Sequence, residues 1–211
     1  MAKKSSRNTI IKTATALFSR KGLEVSIREI NEAAGLSAAA THYHFKNKHD
    51  LMSAVLRSRM LSLEDREGGI DQLLASEQVP AVRDVVKLLL QPLATILLND
   101  PKSGRDYIKV VARVYSEQGS DNPYPMIDEF QIPVTKLLKA LSRALPQLPP
   151  ELLKLRYGFA VEAMLNTLAC ANFPNHIATK DYPDASIEQA DIIEALVDFI
   201  SDGLTGHAVN R

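Results

Sequence analysis

Residues 41–48 read Thr-His-Tyr-His-Phe-Lys-Asn-Lys. Hydroxyl, imidazole, phenol and ammonium groups at this density suit two tasks: gripping phosphate oxygens and reading base edges. The preceding Ala38, Ala39 and Ala40 are small, so a helix carrying them can approach a groove closely. Their methyls, with that of Thr41, match the methyl of thymine. The candidate nucleic-acid contacts are Ser26, Arg28, Ser37, Ala38, Ala39, Thr41, His42, Tyr43, His44, Lys46 and Lys48, while Phe45 reads as a core plug. No metal site is expected at His42 and His44, because residues two apart on a helix point to different faces.

Such groups need a rigid mount. Ser26, with Glu29 three residues on, is a capping-box start. Ile27, Ile30 and Ala34 share a face, and Gly35 supplies the left-handed conformation that ends a helix. Leu36 plugs the corner. Ser37 either caps the next helix or meets a phosphate. Two short helices broken at Gly35 form a helix-turn-helix, which sets its second helix into the major groove. Lys48 opens a further helix, whose N-terminal amides also favour phosphate.

The stretch 7–52 resembles the DNA-binding domain of the tetracycline-repressor (TetR) family. The resemblance is carried by Ile11, Ala14, Leu17, Phe18, Gly22, Ser26, Ile30, Ala34, Gly35, Leu36 and Ser37, then by Tyr43-His44-Phe45-Lys46-Asn47-Lys48-His49-Asp50-Leu51. It implies phosphate roles for Thr41, Tyr43 and Lys48. One departure is His42, which falls where the family's first aromatic stands, and its role stays open. A looser similarity, over Leu141 to Phe159, is to members of the family linked to fatty-acid and stress control; it implies an elongated hydrophobic effector such as an acyl chain.

Net charge is zero, yet unevenly spread. Residues 1–60 carry 11 Lys+Arg and 4 Asp+Glu, a balance of +7, and residues 61–211 carry 14 and 21, a balance of −7. A basic head on an acidic body fits nucleic acid as the partner. Lys3, Lys4 and Arg7 form a polar start without the apolar stretch of a signal peptide; it reads equally as a DNA-following arm or as disorder. The Val85–Leu98 run is interrupted by Lys87, Gln91 and Pro92, so no membrane span is expected. A single cysteine, Cys170, excludes an internal disulfide and fits the cytoplasm.

Apolar spacing is helical throughout, which predicts an all-α fold of about nine helices: 6–21, 26–34, 37–43, 48–67, 80–99, 104–118, 126–145, 150–173 and 187–204. Gly68-Gly69 marks the expected end of the fourth. The expected organisation is a helix-turn-helix domain over 1–47, a linking helix over 48–68, and a helical effector-binding and dimerisation domain over 69–211. The last two helices are apolar around more than one face, a surplus that suits pairing with a second copy in a four-helix bundle. Leu152, Leu155, Ala163, Leu196, Phe199 and Ile200 are the candidate interface.

The resemblance implies a ligand cavity among the middle helices. An apolar lining is available from Leu89, Leu93, Leu97, Val111, Met126, Phe130, Phe159 and Met164, and polar groups from Tyr107, Arg113, Tyr115, Glu162 and Asn166. Arg113 and Glu162 either form a structural ion pair or meet a ligand. Pro92 either opens a pocket or bends its helix around the core. No nucleophile, phosphate-loop or His-Glu-x-x-His motif appears, so neither an enzyme nor a cofactor is expected. The expected function is a homodimeric regulator, a repressor on the family's precedent, released from a palindromic double-stranded operator by a small hydrophobic effector. The alternative is a DNA-binding architectural or regulatory dimer without effector.

Overall fold

The structure is a computed structural model that describes residues 2–60, 63–117, 128–171, 173, 179–181 and 186–206. Met126 and most of the 174–186 loop lie outside the described residues, as do the side chains of Lys3, Lys4, Ala38 and Phe130. The described residues form ten helices and no strand: α1 (Ala2–Lys21), α2 (Ile27–Ala34), α3 (Ala38–His44), α4 (Lys48–Arg57), α5 (Leu63–Ala75), α6 (Val82–Asn99), α7 (Pro101–Ser116), α8 (Asp128–Ala144), α9 (Pro150–Ala169) and α10 (Gln189–Thr205). The fold is all-α, as the periodicity predicts.

The head forms around Phe18 of α1. With Ile10, Ala14, Ile30, Phe45, Leu51 and Val55, it is almost fully removed from water. Each of these side chains larger than Ala14 contributes roughly 1.5–3 kcal/mol of burial. Ser26 makes both halves of its capping box with Glu29. Gly35 then turns the chain at φ +66°, and its N–H and that of Leu36 bond back to carbonyls of α2. Phe45 is the expected plug.

One expected helix is two. Periodicity predicts a continuous run from 48 to 67, but α4 ends at Arg57. The Ser58 hydroxyl donates to the Val55 carbonyl at 2.7 Å, and the Arg59 guanidinium is drawn to Asp100, at 2.8 Å, and Ser103. Gly68 and Gly69 end nothing; they lie inside α5. A Cβ on Gly69 would stand 2.6 Å from Leu88 Cδ2, so this glycine permits the close approach of α5 to α6. Elsewhere the boundaries move by a few residues: α1 and α7 begin earlier than expected, α7 at Pro101 behind the Asp100 cap, and α9 ends at Ala169.

Two arginines substitute for missing C-terminal basic residues. Neither α5 nor α10 carries a cation in its last turn. Arg143 of α8 donates to the carbonyls of Leu73, Leu74, Ser76 and Gln78, and Arg156 of α9 to those of Leu204 and Gly206. Both place positive charge where orphaned carbonyls collect. Arg83 of α6 adds ion pairs to Glu194 and Asp198 of α10, at 2.8 and 2.7 Å. No described helix is long and apolar enough to cross a membrane.

Candidate nucleic-acid interface and effector cavity

Short α3 and its C-cap Phe45 are held by α1 and α2. From α2, the Asn31 side chain lies on the apolar stripe and accepts a 2.6 Å hydrogen bond from the Thr41 hydroxyl; both residues are buried, Thr41 completely. From α1, Ser6 and His44 share a 2.7 Å hydrogen bond. Arg7 lies over the Phe45 ring, 5.2 Å from its centroid, a cation–π contact.

These bonds redistribute the expected contacts. Thr41 is corrected from a base contact to a lock: no duplex reaches a side chain with no exposed surface. His44 is half-buried and tied to α1, so it serves as a mount. Ala39, His42, Tyr43 and Lys46 remain outward, Tyr43 65% exposed and edge-on to His44 at 5.1 Å. Ser37 stands at the N-cap of α3 with its hydroxyl exposed and making no capping bond. Ser26 is engaged by Glu29, whose carboxyl is held below its ordinary range by bonds from the Ser26 backbone, Lys21 and the Ser26 hydroxyl. Arg28 is exposed and pairs with Glu32 at 2.9 Å. Lys48 is half-buried at the start of α4, where Asn47 accepts from the Asp50 N–H at 2.8 Å and Asp50 accepts from the Lys46 N–H at 3.2 Å. Asn31 was hidden from sequence reasoning, although a polar residue four after Ile27 on an apolar stripe is a legible signal.

Helix α7 joins the head to the body. The Tyr107 hydroxyl donates to the Leu56 carbonyl in the last turn of α4 at 2.6 Å. The Ser19 hydroxyl of α1 donates to Asp106 at 2.7 Å, and Arg113 donates to the Ser19 carbonyl at 3.2 Å. Arg59 bonds to Asp100 and Ser103 complete the latch; the Arg59 bond, followed by the Ser103 N–H donating to Asp100 at 3.2 Å, holds the Asp100 carboxyl below its ordinary range. An open, mixed-charge cleft of about 1580 Å³ runs beside these contacts between α1, α4 and the start of α7. Its breadth and polar lining suit water better than an apolar ligand.

A second cavity, of about 380 Å³, lies inside the body and is lined mainly by apolar groups. Leu89, Leu93, Tyr107, Val111, Tyr115 and Met164 line it as expected, with Pro92, Leu137, Lys154, Tyr157, Gly158 and Val161 among the residues that join them. The Pro92 ring is itself part of the wall. Several candidates fall elsewhere. Leu97 is buried in the core away from the cavity. Arg113 makes no ion pair with Glu162, because its guanidinium is engaged by α1. Glu162 and Asn166 are exposed and bonded to each other, the Asn166 amide donating to the Glu162 carboxylate at 3.1 Å. Phe159 is 63% exposed on the outer side of α9. Burial raises the Tyr157 phenol above its ordinary range, with neighbouring Tyr115 adding to the shift; burial and the Glu162 charge raise Tyr115.

Leu155 and Phe159, four residues apart, share this outer side of α9. Leu155 is 53% and Phe159 63% exposed on α9, and Phe199 is 70% exposed on α10, with Leu152 and Ala163 half-buried beside them. Leu196 and Ile200, expected at the same surface, instead face their own chain's core. Their side of α10 packs on α6 and α9.

A family model described as "Tetracyclin repressor-like, C-terminal domain" matches residues 87–203, and one described as "Bacterial regulatory proteins, tetR family" matches residues 10–55. Among solved structures, the chain is similar to NalD, the secondary repressor of the MexAB-OprM multidrug efflux pump in Pseudomonas aeruginosa, at 16% identity over 95% of each chain and a TM-score of 0.63. It is similar to a TetR-family transcriptional regulator from Bordetella parapertussis 12822, at 18% identity over 92% of this chain and 93% of that one, with a TM-score of 0.61. It is also similar to AibR in complex with isovaleryl coenzyme A and operator DNA, at 16% identity over 92% of this chain and 97% of that one, with a TM-score of 0.59. At such identities the likeness is one of fold. No curated protein matches the sequence.

Proposed function

The chain belongs to the tetR family of bacterial regulatory proteins, and from that premise we propose that it is a homodimeric repressor released from a palindromic operator by a small apolar effector. The family is one of DNA-binding transcriptional regulators, so action by binding rather than catalysis is the natural reading. The observation that carries the effector response is the double duty of α7. Tyr107, Val111 and Tyr115 wall the cavity, while Tyr107, Asp106 and Arg113 bond to the head. A ligand that shifts this wall shifts the head with it. AibR, solved with a small molecule and operator DNA together, is a precedent for such a pairing on this fold.

Ser37, Ala39, His42, Tyr43 and Lys46 are the proposed DNA contacts, with Lys48 at the start of α4. Leu155, Phe159 and Phe199 form the centre of the proposed dimer face. Two heads joined through this face would address half-sites about 34–36 Å apart. A ligand-favoured state with the wrong spacing then weakens binding; coupling of about 1–3 kcal/mol corresponds to roughly 5–150-fold. The cavity speaks against the effector-free architectural alternative, which has no use for it. The test is footprinting of purified protein on DNA upstream of its own gene, followed by a screen of apolar metabolites for release. A palindromic footprint lost on ligand addition is expected. Salt-insensitive or absent binding to every duplex fragment refutes the reading.

A further inference from the structure

The cavity wall carries few polar groups, and they are not equivalent. The Tyr107 hydroxyl is engaged by the Leu56 carbonyl. Lys154 stands exposed at the rim, where solvent screens its charge. Tyr115 and Tyr157 remain, one from α7 and one from α9, both lining the cavity. No described residue hydrogen-bonds to either hydroxyl. Tyr157 is only 7% exposed as a residue, and its ring and hydroxyl belong to the cavity wall. A hydroxyl that lines an apolar cavity and is not engaged by the protein marks where a ligand's polar atom belongs.

Charge narrows the choice. Burial keeps both phenols protonated, so each offers a donor. The Glu162 carboxylate acts on Tyr115 from nearby. Glu162 and Lys154 are both exposed and of opposite sign, so screened charge favours neither an anionic nor a cationic head, and the mainly apolar lining favours an uncharged occupant. The volume, about 380 Å³, is near the lower limit for ligand pockets of roughly 300–1,000 Å³, so the occupant is small. Resting on the effector reading above, we propose that this ligand is an uncharged, mostly apolar molecule whose single carbonyl-type acceptor is held between the hydroxyls of Tyr115 and Tyr157.

The test uses one alkyl chain with different heads: octyl acetate, octanoate, octylammonium and octane, titrated calorimetrically into the full-length protein. Octyl acetate is expected to bind tightest. Tyr157→Phe and Tyr115→Phe should each weaken it by roughly 2- to 10-fold, the worth of one neutral hydrogen bond, while leaving octane unchanged. The chain has no tryptophan, so near-ultraviolet tyrosine absorption reports the phenols directly. Octyl acetate should shift that band in the parent protein and not in the double variant. Tighter binding of octanoate or octylammonium overturns the proposal, as does octyl acetate affinity indifferent to both substitutions. Failure of all four to bind also overturns it. If octyl acetate binds through the phenols and leaves operator affinity untouched, the phenol assignment stands and the effector reading falls.

Discussion

Replacing Thr41 with valine tests whether the recognition helix is built as a rod locked from behind. The substitution keeps the shape and deletes the hydroxyl that donates to Asn31 at 2.6 Å. Because both residues are buried, the Asn31 carbonyl oxygen loses its partner without gaining water. An unsatisfied buried acceptor costs about 1–3 kcal/mol. At this chain length each kcal/mol lowers Tm by about 2–4 °C. Asn31→Leu should cost less at the hydroxyl end, since a helical threonine can turn its hydroxyl to the carbonyl four residues back. The double variant removes both polar groups and should cost less than the two singles added, with a coupling of about 0.5–3 kcal/mol. Urea titrations of the four proteins supply the cycle. Fluorescence anisotropy on operator and random duplexes supplies the second readout, and the ratio of the two affinities should not change. If Thr41→Val keeps full stability but loses operator preference, the hydroxyl faces bases and the lock is wrong.

The remaining expectations are shorter. Tyr107→Phe removes the bond to Leu56 between cavity wall and head; operator affinity should persist while release by ligand weakens, read by anisotropy with and without effector. Lys46→Ala should weaken binding to all duplexes alike and lower the slope of log affinity against log salt by about 0.9, the value for one phosphate, whereas Tyr43→Ala should weaken binding to all duplexes. Phe159→Asp combined with Phe199→Asp places charge on the exposed apolar face and should yield a folded monomer by analytical ultracentrifugation. Asp100 has a lowered folded-state pKa, chiefly through the Arg59 bond, so its stabilisation is full above its unfolded value of about 3.9 and is lost as pH falls through the lowered folded value. The Tm difference between the parent and Asp100→Asn should therefore vanish in strong acid.

The head was legible because its signals are local. Ser26 with Glu29, Gly35, and Phe45 each act within a few residues of themselves, so spacing reveals them. The body was legible as helices but not as surfaces. Leu196 and Phe199 are both apolar and three residues apart on one helix; one faces α6 and α9, the other faces outward, and only packing separates them. Phe159 deceived for the same reason, being as suitable for a cavity as for an exposed face. Arg113 and Glu162 both interrupt apolar runs, which suits an ion pair or a ligand contact equally, yet the long guanidinium reaches instead to the Ser19 carbonyl of α1. The Gly68-Gly69 pair has a turn's composition, while Gly69 is needed where Leu88 crosses α5. Long-range demands of this kind leave no periodic trace.

On the effector reading proposed above, the latch between head and body is the route by which a small cavity would act on the DNA-binding face. Contacts from α7 reach two elements of the head: Ser19 on α1 through Asp106 and Arg113, and the end of α4 through Tyr107. Two anchors on one rigid helix transmit rotation as well as displacement, which one anchor cannot do. The cavity wall supplied by α7 sits between and beyond those anchors, at residues 107, 111 and 115. The energy required is small, because about 1–3 kcal/mol of differential ligand affinity suffices for a tenfold-scale change in DNA binding. Losing or remaking one or two of these neutral hydrogen bonds, each worth about 0.5–1.5 kcal/mol, falls in that range. On the same reading, the break after Arg57 would let α4 follow α7, where a continuous helix would tie it to α5.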